Sequence, residues 1–384
     1  MTSKTDSDPW SVSTHDLHEA LQTYRAEDSP AVVATVVEVE GSAYRRPGAM
    51  MLIDPATDSY GAITAGCLED PVADLAREVL ADGKPRVETF DLMDDDGEWG
   101  LGLGCRGIID ILLEPLDESW DPIVQSVEDR EGIVTVTAID SSDPGVSVGD
   151  RAIIADTSAT ESPPRSPLPT PIVEDVQDII SDVRKKAGST SVTVTTDDGA
   201  VDLYIDCLEP APDLLLFGSQ NDIHPVAEMG RKAGFRVVIA TARGAHDDFP
   251  NAHEVKRVHP MNLAEAVVDP DRTYAVLMSH NLIDDQLGLL SLLDTTTPYI
   301  GIMGPRERFE ELRDALAADE DRELTSEELA RISTPVGLDL GGGEPIQIAL
   351  SIVSEALAVS NDCDGGRLKD RKGPIHPRIE ASQL

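Results

Sequence analysis

Two turns in the first third of the chain place a glycine next to a cysteine, a combination suited to holding a ligand. Gly66 and Cys67 precede a predicted helix, and Gly104 and Cys105 follow a glycine-rich stretch. Glycine lets a backbone approach a ligand closely, and the free amides of a helix N-terminus bind anions. The same positive end favours a thiolate, so Cys67 is a candidate reactive or ligand-holding side chain. Alternatively, both cysteines are small apolar side chains buried in turns.

Three arginines lie beside these turns. Arg45 and Arg46 occupy a turn with glycine and proline, and Arg106 directly follows Cys105. A guanidinium group binds phosphate through paired hydrogen bonds, so these residues predict an anion site. The alternative is a set of ordinary surface ion pairs with nearby acids. The sequence leaves both interpretations open.

A second group of candidates follows the first strand of a predicted parallel sheet, in the segment LLLFGSQNDIHP. A dinucleotide site has three glycines there, in the pattern GxGxxG. Gly218 fits the first position, but Gln220 and Ile223 occupy the other two. The next strand ends without the acid that binds the ribose of NAD and is followed by Arg243, which suits a phosphate or a salt bridge. Binding of NAD(P) is possible but disfavoured.

Polar groups and glycines also follow later strands of this predicted sheet. His280 ends the strand-like run YAVLMS, and the run YIGIMG contains Gly301 and Gly304 and is followed by Arg306. The carboxyl ends of parallel strands line the ligand crevice, so we expect these residues at one rim. The alternative for a single histidine is a structural role.

The elements that must position these residues form two patterns. Residues 1–116 are predicted as a mixed α/β domain, with β-branched strands and a helix for which Asp70 is a suitable N-cap. Residues 117–212 mix strands and one helix with a loop rich in proline and serine. Residues 213–330 alternate apolar strands with amphipathic helices, which predicts a Rossmann-like, doubly wound parallel sheet. Residues 331–384 add an apolar helix and a polar tail.

The composition is strongly acidic. Among 384 residues there are 72 Asp and Glu against 31 Lys and Arg, a formal net charge of -41. The acids are spread along the whole chain, and molar salt screens their mutual repulsion, so we interpret them as adaptation to a saline cytoplasm. The same charge argues against nucleic acid or anionic membrane as a partner, because both are bound by dense Lys and Arg.

Other function classes lack their sequence signals. The four cysteines form no CxxC pair and no metal-binding spacing with histidine, so we expect neither a disulfide framework nor a metal site. Neither a signal peptide nor an apolar run of membrane-spanning length is present, which favours the cytoplasm. The GxSxG, HExxH and phosphate-loop motifs are missing, so no catalytic residue is predicted.

Six runs, in order, resemble the XdhC/CoxI family: EGSAYRRPGAMMLI, GAITAGCLED, GLGLGCRGIIDILLEPL, VLMSHNLIDDQLGLLSLL, PYIGIMGPRERFEEL and PVGLDLGGGEPIQIALSIVSE. This resemblance implies an amino-terminal XdhC/CoxI domain followed by a Rossmann domain. It also implies an accessory protein that binds molybdenum cofactor (molybdopterin) and assists its sulfuration by a cysteine desulfurase. The protein would then help to insert the cofactor into a molybdoenzyme apoprotein. Members of the family are often homodimers.

The resemblance also assigns candidate cofactor-binding residues. These are Gly41, Ser42, Arg45 and Arg46 in the first motif, Gly66, Cys67 and Glu69 in the second, and Gly104, Cys105 and Arg106 in the third. This chain departs from the family where Ala65 and Arg106 replace glycines. It departs further in the Rossmann loop, which puts any nucleotide role of that domain in doubt.

Two other functions fit parts of the sequence. One is an NADP-linked oxidoreductase, with Arg243 on the extra phosphate and His280 as proton donor, against which Gln220 argues. The other is a scaffold for molybdoenzyme assembly that holds no cofactor.

Overall fold

The computed structural model describes residues 12–56, 58–92, 106–155, 160–161, 167–242, 248–319 and 322–372. The chain forms two compact units. The first extends to Pro210 and the second begins at Ala211. Within the described ranges, no helix has both the length and the apolar character to cross a membrane.

The first half of the first unit is one antiparallel sheet covered by a helix. Its elements are α1 (Thr14–Ala26), β1 (Val32–Ser42), β2 (Met50–Ile53), β3 (Ser59–Gly61), α2 (Glu69–Asp82), β4 (Arg86–Asp91) and β5 (Arg106–Pro115). The strands lie in the order β3-β2-β1-β5-β4. Alternate apolar residues of β1, among them Val32, Ala34 and Val36, pack against Val72 and Ala76 of α2. The two-residue period of a strand therefore places one apolar face under the helix.

The second half of the first unit has the same topology. Its elements are α3 (Asp121–Asp129), β6 (Ile133–Ser141), β7 (Arg151–Ala155), β8 (Thr160–Glu161), α4 (Thr170–Asp175), α5 (Gln177–Lys186), β9 (Ser189–Thr195) and β10 (Ala200–Leu208). The strand order is β8-β7-β6-β10-β9, which matches the first sheet element by element. Here α4 and α5 take the place of α2 and cover the corresponding face.

The two sheets also agree in detail. The pairing of β1 with β5 has a bulge after Val36, and the pairing of β6 with β10 has one after Ala138. A glycine at the start of the last strand packs on the peptide backbone of the central strand in both sheets. A Cβ on Gly107 would lie 2.4 Å from the carbonyl oxygen of Glu40, and one on Gly199 would lie 2.7 Å from the peptide carbon of Ser142. One fold is therefore repeated within this unit.

The two sheets pack on each other through equivalent residues. Val37 and Leu112 of the first sheet meet Ile139 and Tyr204 of the second in one buried cluster. Val37 and Ile139 are the extra residues of the two bulges, and Leu112 and Tyr204 occupy equivalent positions in β5 and β10. This arrangement is an approximate two-fold relation between the halves.

Charged groups break this symmetry. Glu114 and Arg151, both about 4% exposed, pair with 2.6 Å between Oε2 and Nη2. In the other half, the equivalents are Asp206 and Met50, so Asp206 lacks the matching arginine at that position. Burial raises the pKa of Asp206 to about 7 because the ionised carboxylate is poorly solvated there.

The second unit is built on a six-stranded parallel sheet. Its elements are β11 (Asp213–Phe217), α6 (Ile223–Lys232), β12 (Arg236–Thr241), β13 (Glu254–Arg257), β14 (Thr273–Leu277), α7 (Leu282–Leu293), β15 (Tyr299–Ile302), α8 (Arg306–Asp319), α9 (Ser326–Ala330), β16 (Ile332–Ser333) and α10 (Pro345–Ser360). The strand order is β13-β12-β11-β14-β15-β16. This is the order of a dinucleotide-binding Rossmann fold, and it confirms the predicted doubly wound sheet.

Helices cover both faces of this sheet. Helices α6 and α10 pack on one face and α7 and α8 on the other. Helix α10 is tied to the sheet by Glu355, which accepts hydrogen bonds from the Tyr299 hydroxyl at 2.6 Å, the Ser333 hydroxyl at 2.7 Å and the Gly337 amide at 2.8 Å. The segment after residue 330 therefore contributes to the core of the parallel sheet.

Candidate functional site

The turns with predicted ligand-binding residues meet at one end of the first sheet. Because β1 and β3 both run antiparallel to β2, they end at the same edge. Strand β5 runs antiparallel to β1, so it begins at that edge, and Ser42 is paired with Arg106. The turn after β1, the turn before α2 and the start of β5 are thus neighbours. The sequence alone did not specify this convergence.

Gly41 is paired with Gly107 at this edge. Gly41 has a φ of +77°, a conformation that favours glycine, and Gly107 has no room for a Cβ. The close approach of the two strands accounts for both glycines.

The turn between β1 and β2 presents its cations to solvent. Arg45 and Arg46 are both exposed. Arg45 makes no hydrogen bond or ion pair with any residue in the described ranges. Within the described ranges, Arg45 therefore does not form the surface ion pair that was the alternative interpretation. A guanidinium without an acidic partner is available to an anion.

A pocket lies between this turn and the N-terminus of α1. It is a small pocket, open to solvent on one side, with a cavity volume of about 70 Å³. The wall from the turn includes Tyr44 and Arg45, and the wall from the end of β3 includes Gly61 and Ala62. Ser13, Thr14 and Leu17 line the opposite side.

The turn before α2 is organised by Glu69. Its carboxylate accepts hydrogen bonds from the Thr64 amide at 2.8 Å, the Thr64 hydroxyl at 2.5 Å and the Leu68 amide at 3.2 Å. The Thr64 hydroxyl oxygen also lies 3.2 Å from the amide nitrogens of Cys67 and Leu68. Glu69 thus holds the turn that presents Cys67, a role that sequence analysis did not derive from the residues.

This network changes two expectations. The predicted helix is present, but it begins at Glu69 with Leu68 as the N-cap residue, so the assignment of Asp70 as N-cap was wrong. The carboxylate of Glu69 and the hydroxyl of Thr64 accept from the amides of Cys67 and Leu68, the two residues that precede the helix. The amides of Cys67 and Leu68 are consequently not free for an external anion.

Cys67 itself is a free, partly exposed cysteine. Its neighbour Gly66 has a φ of +100°, which a residue with a side chain rarely adopts. In this turn the thiol of Cys67 is accessible to a ligand, whereas the amides of Cys67 and Leu68 are already hydrogen-bonded. Gly104 and Cys105 lie outside the described residues, and the described part of Arg106 is its backbone in β5.

The second unit has its own group of polar residues, at the point where the strand order of the parallel sheet reverses. Gly218 follows β11 and His280 follows the neighbouring strand β14. His280 Nε2 lies 2.7 Å from Oδ2 of Asp222, a residue of the turn that begins with Gly218. A Cβ on Gly218 would lie 2.6 Å from the carbonyl oxygen of Met278, so packing between the two turns accounts for this glycine.

The backbone of His280 is held in a left-handed conformation, with a φ of +58°. Its neighbours on both sides are fixed. The Ser279 hydroxyl donates to the buried carboxylate of Asp285 at 2.5 Å, and Arg308 donates to the same carboxylate at 2.7 Å. Asn281 caps α7 through the amides of Ile283 and Asp284. Such support is what an uncommon backbone conformation requires.

The remaining predicted residues of this unit have separate surroundings. Gly301 lies inside β15, where a Cβ would be 2.4 Å from Cγ2 of Val336, so its small size serves packing and it is not at the strand end. Gly304, with a φ of +125°, follows the strand, and Arg306 is the exposed first residue of α8. Arg243 lies outside the described residues. Sequence analysis missed Asp222, although it lies in the quoted GSQND segment.

Comparisons with known proteins agree with this architecture. Residues 24–91 match the model of the XdhC and CoxI family, and residues 214–356 match the model of the XdhC Rossmann domain. A Bacillus subtilis protein named as a probable xanthine dehydrogenase subunit is 26% identical over 353 residues, which cover 89% of this chain and 97% of that protein. The uncharacterized Escherichia coli protein YqeB is 24% identical over 184 residues, 47% of this chain and 32% of that protein.

A solved structure extends the similarity to the whole fold. The crystal structure of a Bacillus halodurans protein described as a xanthine dehydrogenase superposes with a TM-score of 0.68. It is 27% identical, and the match covers 94% of this chain and 98% of that one. Both units of the present chain therefore have counterparts in that protein.

Proposed function

We propose a cofactor-handling role for this chain, which belongs to the XdhC and CoxI family and is related to xanthine dehydrogenase accessory proteins. In this proposal the protein binds molybdenum cofactor, assists its sulfuration and helps to insert it into the apoprotein of a xanthine dehydrogenase-type enzyme. Its partners would be that apoprotein and a cysteine desulfurase.

One observation carries the proposal: the turn after β1, the turn before α2 and the start of β5 lie at the same end of the first sheet. The first turn contains Arg45 and Arg46, the second contains Cys67, and β5 begins with the backbone of Arg106. Molybdenum cofactor has a terminal phosphate and sulfur groups that bind the metal. Guanidinium groups suit the phosphate, and a thiolate is a ligand for soft metals.

The residues at this end of the first sheet fit the cofactor. Some of the atoms that would bind it, however, differ from those predicted from the sequence. The Cys67 and Leu68 amides are satisfied by Thr64, so the cations of the β1–β2 turn become the principal anion-binding groups. Gly41 and Ser42 contribute backbone at the edge of the sheet. Glu69 acts indirectly, because it holds the turn that presents the Cys67 thiol.

The crevice of the second unit supports a role other than dinucleotide binding. Asp222 immediately precedes α6, close to where a Rossmann fold binds the pyrophosphate of NAD(P). A carboxylate there repels a phosphate, and the side chain of His280 lies against it. In this proposal Gly218 and His280 therefore do not form an oxidoreductase site, and Gly304 and Arg306 are not part of their group.

The proposal is tested by the molybdenum and pterin content of protein purified anaerobically from its native host in high salt. We expect both in the wild type and their loss in Cys67→Ala. Cys363→Ala is the matched control, because Cys363 is also a free cysteine but is exposed in the second unit. Folded wild-type protein without molybdenum or pterin, from cells with an active molybdoenzyme, would contradict cofactor binding and favour a scaffold.

A further inference from the structure

Tyr44 is the most exposed of the large apolar and aromatic side chains in the described ranges, with 66% of its surface accessible. Aromatic residues make up only 4% of the chain, and this one projects from a turn that otherwise contains cations, glycine and proline. An aromatic ring loses the benefit of burial in such a position unless a ligand covers it. Tyr44 also lines the pocket between the β1–β2 turn and α1.

The wall of this pocket that faces Tyr44 and Arg45 from the end of β3 consists of small residues. Gly61 and Ala62 face it from the end of β3, and both lack a bulky side chain. Gly61 has a φ of +90°, and a Cβ there would lie 2.9 Å from the carbonyl oxygen of Met50. The backbone conformation at Gly61 therefore excludes a side chain on this wall.

Arg45 adjoins Tyr44 and lines the same pocket. It has no acidic partner among the described residues. An aromatic plane next to an available guanidinium can bind one ligand through two different interactions, stacking on a planar ring and hydrogen bonding to a phosphate.

The second half of the first unit provides an internal comparison for this turn. The Gly48 amide donates to the Val36 carbonyl, and the Gly149 amide donates to the equivalent Ala138 carbonyl, each at 2.9 Å. Both glycines have left-handed φ angles, +93° and +90°. The next hydrogen bond of the turn is also repeated, from Ala49 to Arg46 and from Asp150 to Ser147.

The two turns differ where Tyr44 and Arg45 lie. The second turn is one residue shorter and has Gly145 and Val146 there, so it contains neither an aromatic ring nor a cation. The repeated fold forms without these side chains. The backbone of the turn therefore does not require the side chains of Tyr44 and Arg45.

We propose that Tyr44 and Arg45 form the recognition element of the pocket, in which Tyr44 stacks on a planar heterocycle and Arg45 binds an attached phosphate. This inference rests on the proposed function and names the pterin ring and terminal phosphate of the cofactor as the groups recognised. Tyr44 then selects the ring, whereas Arg45 contributes affinity for any phosphate.

The test measures the binding of two probes to the purified full-length protein in high salt: pterin-6-carboxylate, followed by its fluorescence, and inorganic pyrophosphate, followed by calorimetry. We expect Tyr44→Leu to weaken binding of the pterin roughly tenfold and to leave pyrophosphate binding unchanged. Tyr44→Phe keeps the ring and is expected to bind the pterin as the wild type does. Arg45→Val, which introduces the residue of the second half, is expected to lose pyrophosphate.

Arg77→Gln is the charge-matched control, because Arg77 is exposed on α2 and pairs with Asp74. Circular dichroism and the thermal midpoint establish that each variant is folded. Unchanged pterin binding in Tyr44→Leu, or an equal loss of both probes, would overturn the role of Tyr44. Failure of the wild type to bind either probe would also overturn this inference, whereas molybdenum and pterin in protein from the native host would still support the proposed function.

Discussion

His280 and Asp222 follow neighbouring strands of the parallel sheet and join across the point where the strand order reverses, with 2.7 Å between Nε2 and Oδ2. A nucleotide-binding Rossmann fold keeps this point open for the phosphates of its ligand. Here a carboxylate and an imidazole occupy the rim, on turns packed so closely that Gly218 has no room for a Cβ.

This arrangement predicts that NADPH does not stabilise the protein. The carboxylate of Asp222 lies where the negative pyrophosphate would bind, so we expect the same thermal midpoint with and without millimolar NADPH. Differential scanning fluorimetry in high salt measures this. A ligand at one hundred times its dissociation constant stabilises by about 2.7 kcal/mol, and an upward shift of that size would show that the crevice is a nucleotide site after all.

Glu69→Gln is expected to destabilise the first unit by about 1–3 kcal/mol, because the carboxylate accepts from two amides and one hydroxyl and an amide side chain cannot replace it fully. Asp70→Asn is the matched control. It removes the neighbouring exposed carboxylate, which does not cap the helix, and its effect is expected within about 0.5 kcal/mol. Urea unfolding measures both. Equal effects would mean that Glu69 contributes only its charge at the helix N-terminus.

Asp206→Asn is expected to stabilise the protein more at pH 8 than at pH 5. Burial raises the pKa of Asp206 from 3.8 to about 7, so the folded state favours the protonated carboxyl. The wild type therefore loses stability as the pH rises from about 4 to 7, and the neutral asparagine removes that loss. The additional gain at pH 8 is up to about 3 kcal/mol. Urea unfolding at both pH values tests this, with the exposed Asp198→Asn as control.

Arg151→Met should cost about 3–5 kcal/mol, since it leaves Glu114 buried without its ion-pair partner. Methionine is the residue that the other half of the unit has at this position, Met50, so the backbone accommodates it. The double variant Glu114→Leu with Arg151→Met is expected to recover most of the loss, because the buried carboxylate of Glu114 is removed together with its partner. If the double variant were as unstable as the single one, packing of Arg151 over Trp120 would be the larger contribution.

The parallel sheet could be predicted from the sequence because its strands are buried on both faces. LLLF in β11 and YAVL in β14 are continuous apolar runs separated by amphipathic helices, a pattern that few other architectures share. The fold class of the second unit was therefore confirmed, whereas β16 and α10, which follow residue 330, also belong to its sheet and core.

The repeat in the first unit could not be predicted from the sequence in the same way. Its two halves share alternation of apolar residues, a bulge and a few glycines, but most equivalent positions have different side chains, for example Val37 and Ile139 or Glu114 and Asp206. The hydrogen-bond register shows the equivalence. Strand pairing between residues far apart in sequence has no local signal.

The candidate site was predicted in its residue types but not in its assembly. Cys67, Arg45 and Arg46 were chosen for their chemistry, and the strand directions then place their turns at one edge. The amides of Cys67 and Leu68 are occupied by the side chains of Thr64 and Glu69, an arrangement that depends on side-chain geometry and has no signal in the sequence pattern. Asp222 was missed because the loop was compared only with a glycine pattern.

Two copies of one fold that meet through equivalent residues have the geometry of a symmetric pair of protomers joined in a single polypeptide. Gene duplication and fusion produce such a chain. After fusion, each copy still shields the apolar sheet face of the other, but only one needs to retain a ligand. The second copy has Gly145 and Val146 where the first has Tyr44 and Arg45, so the pair of residues proposed to bind the ligand occurs in one copy.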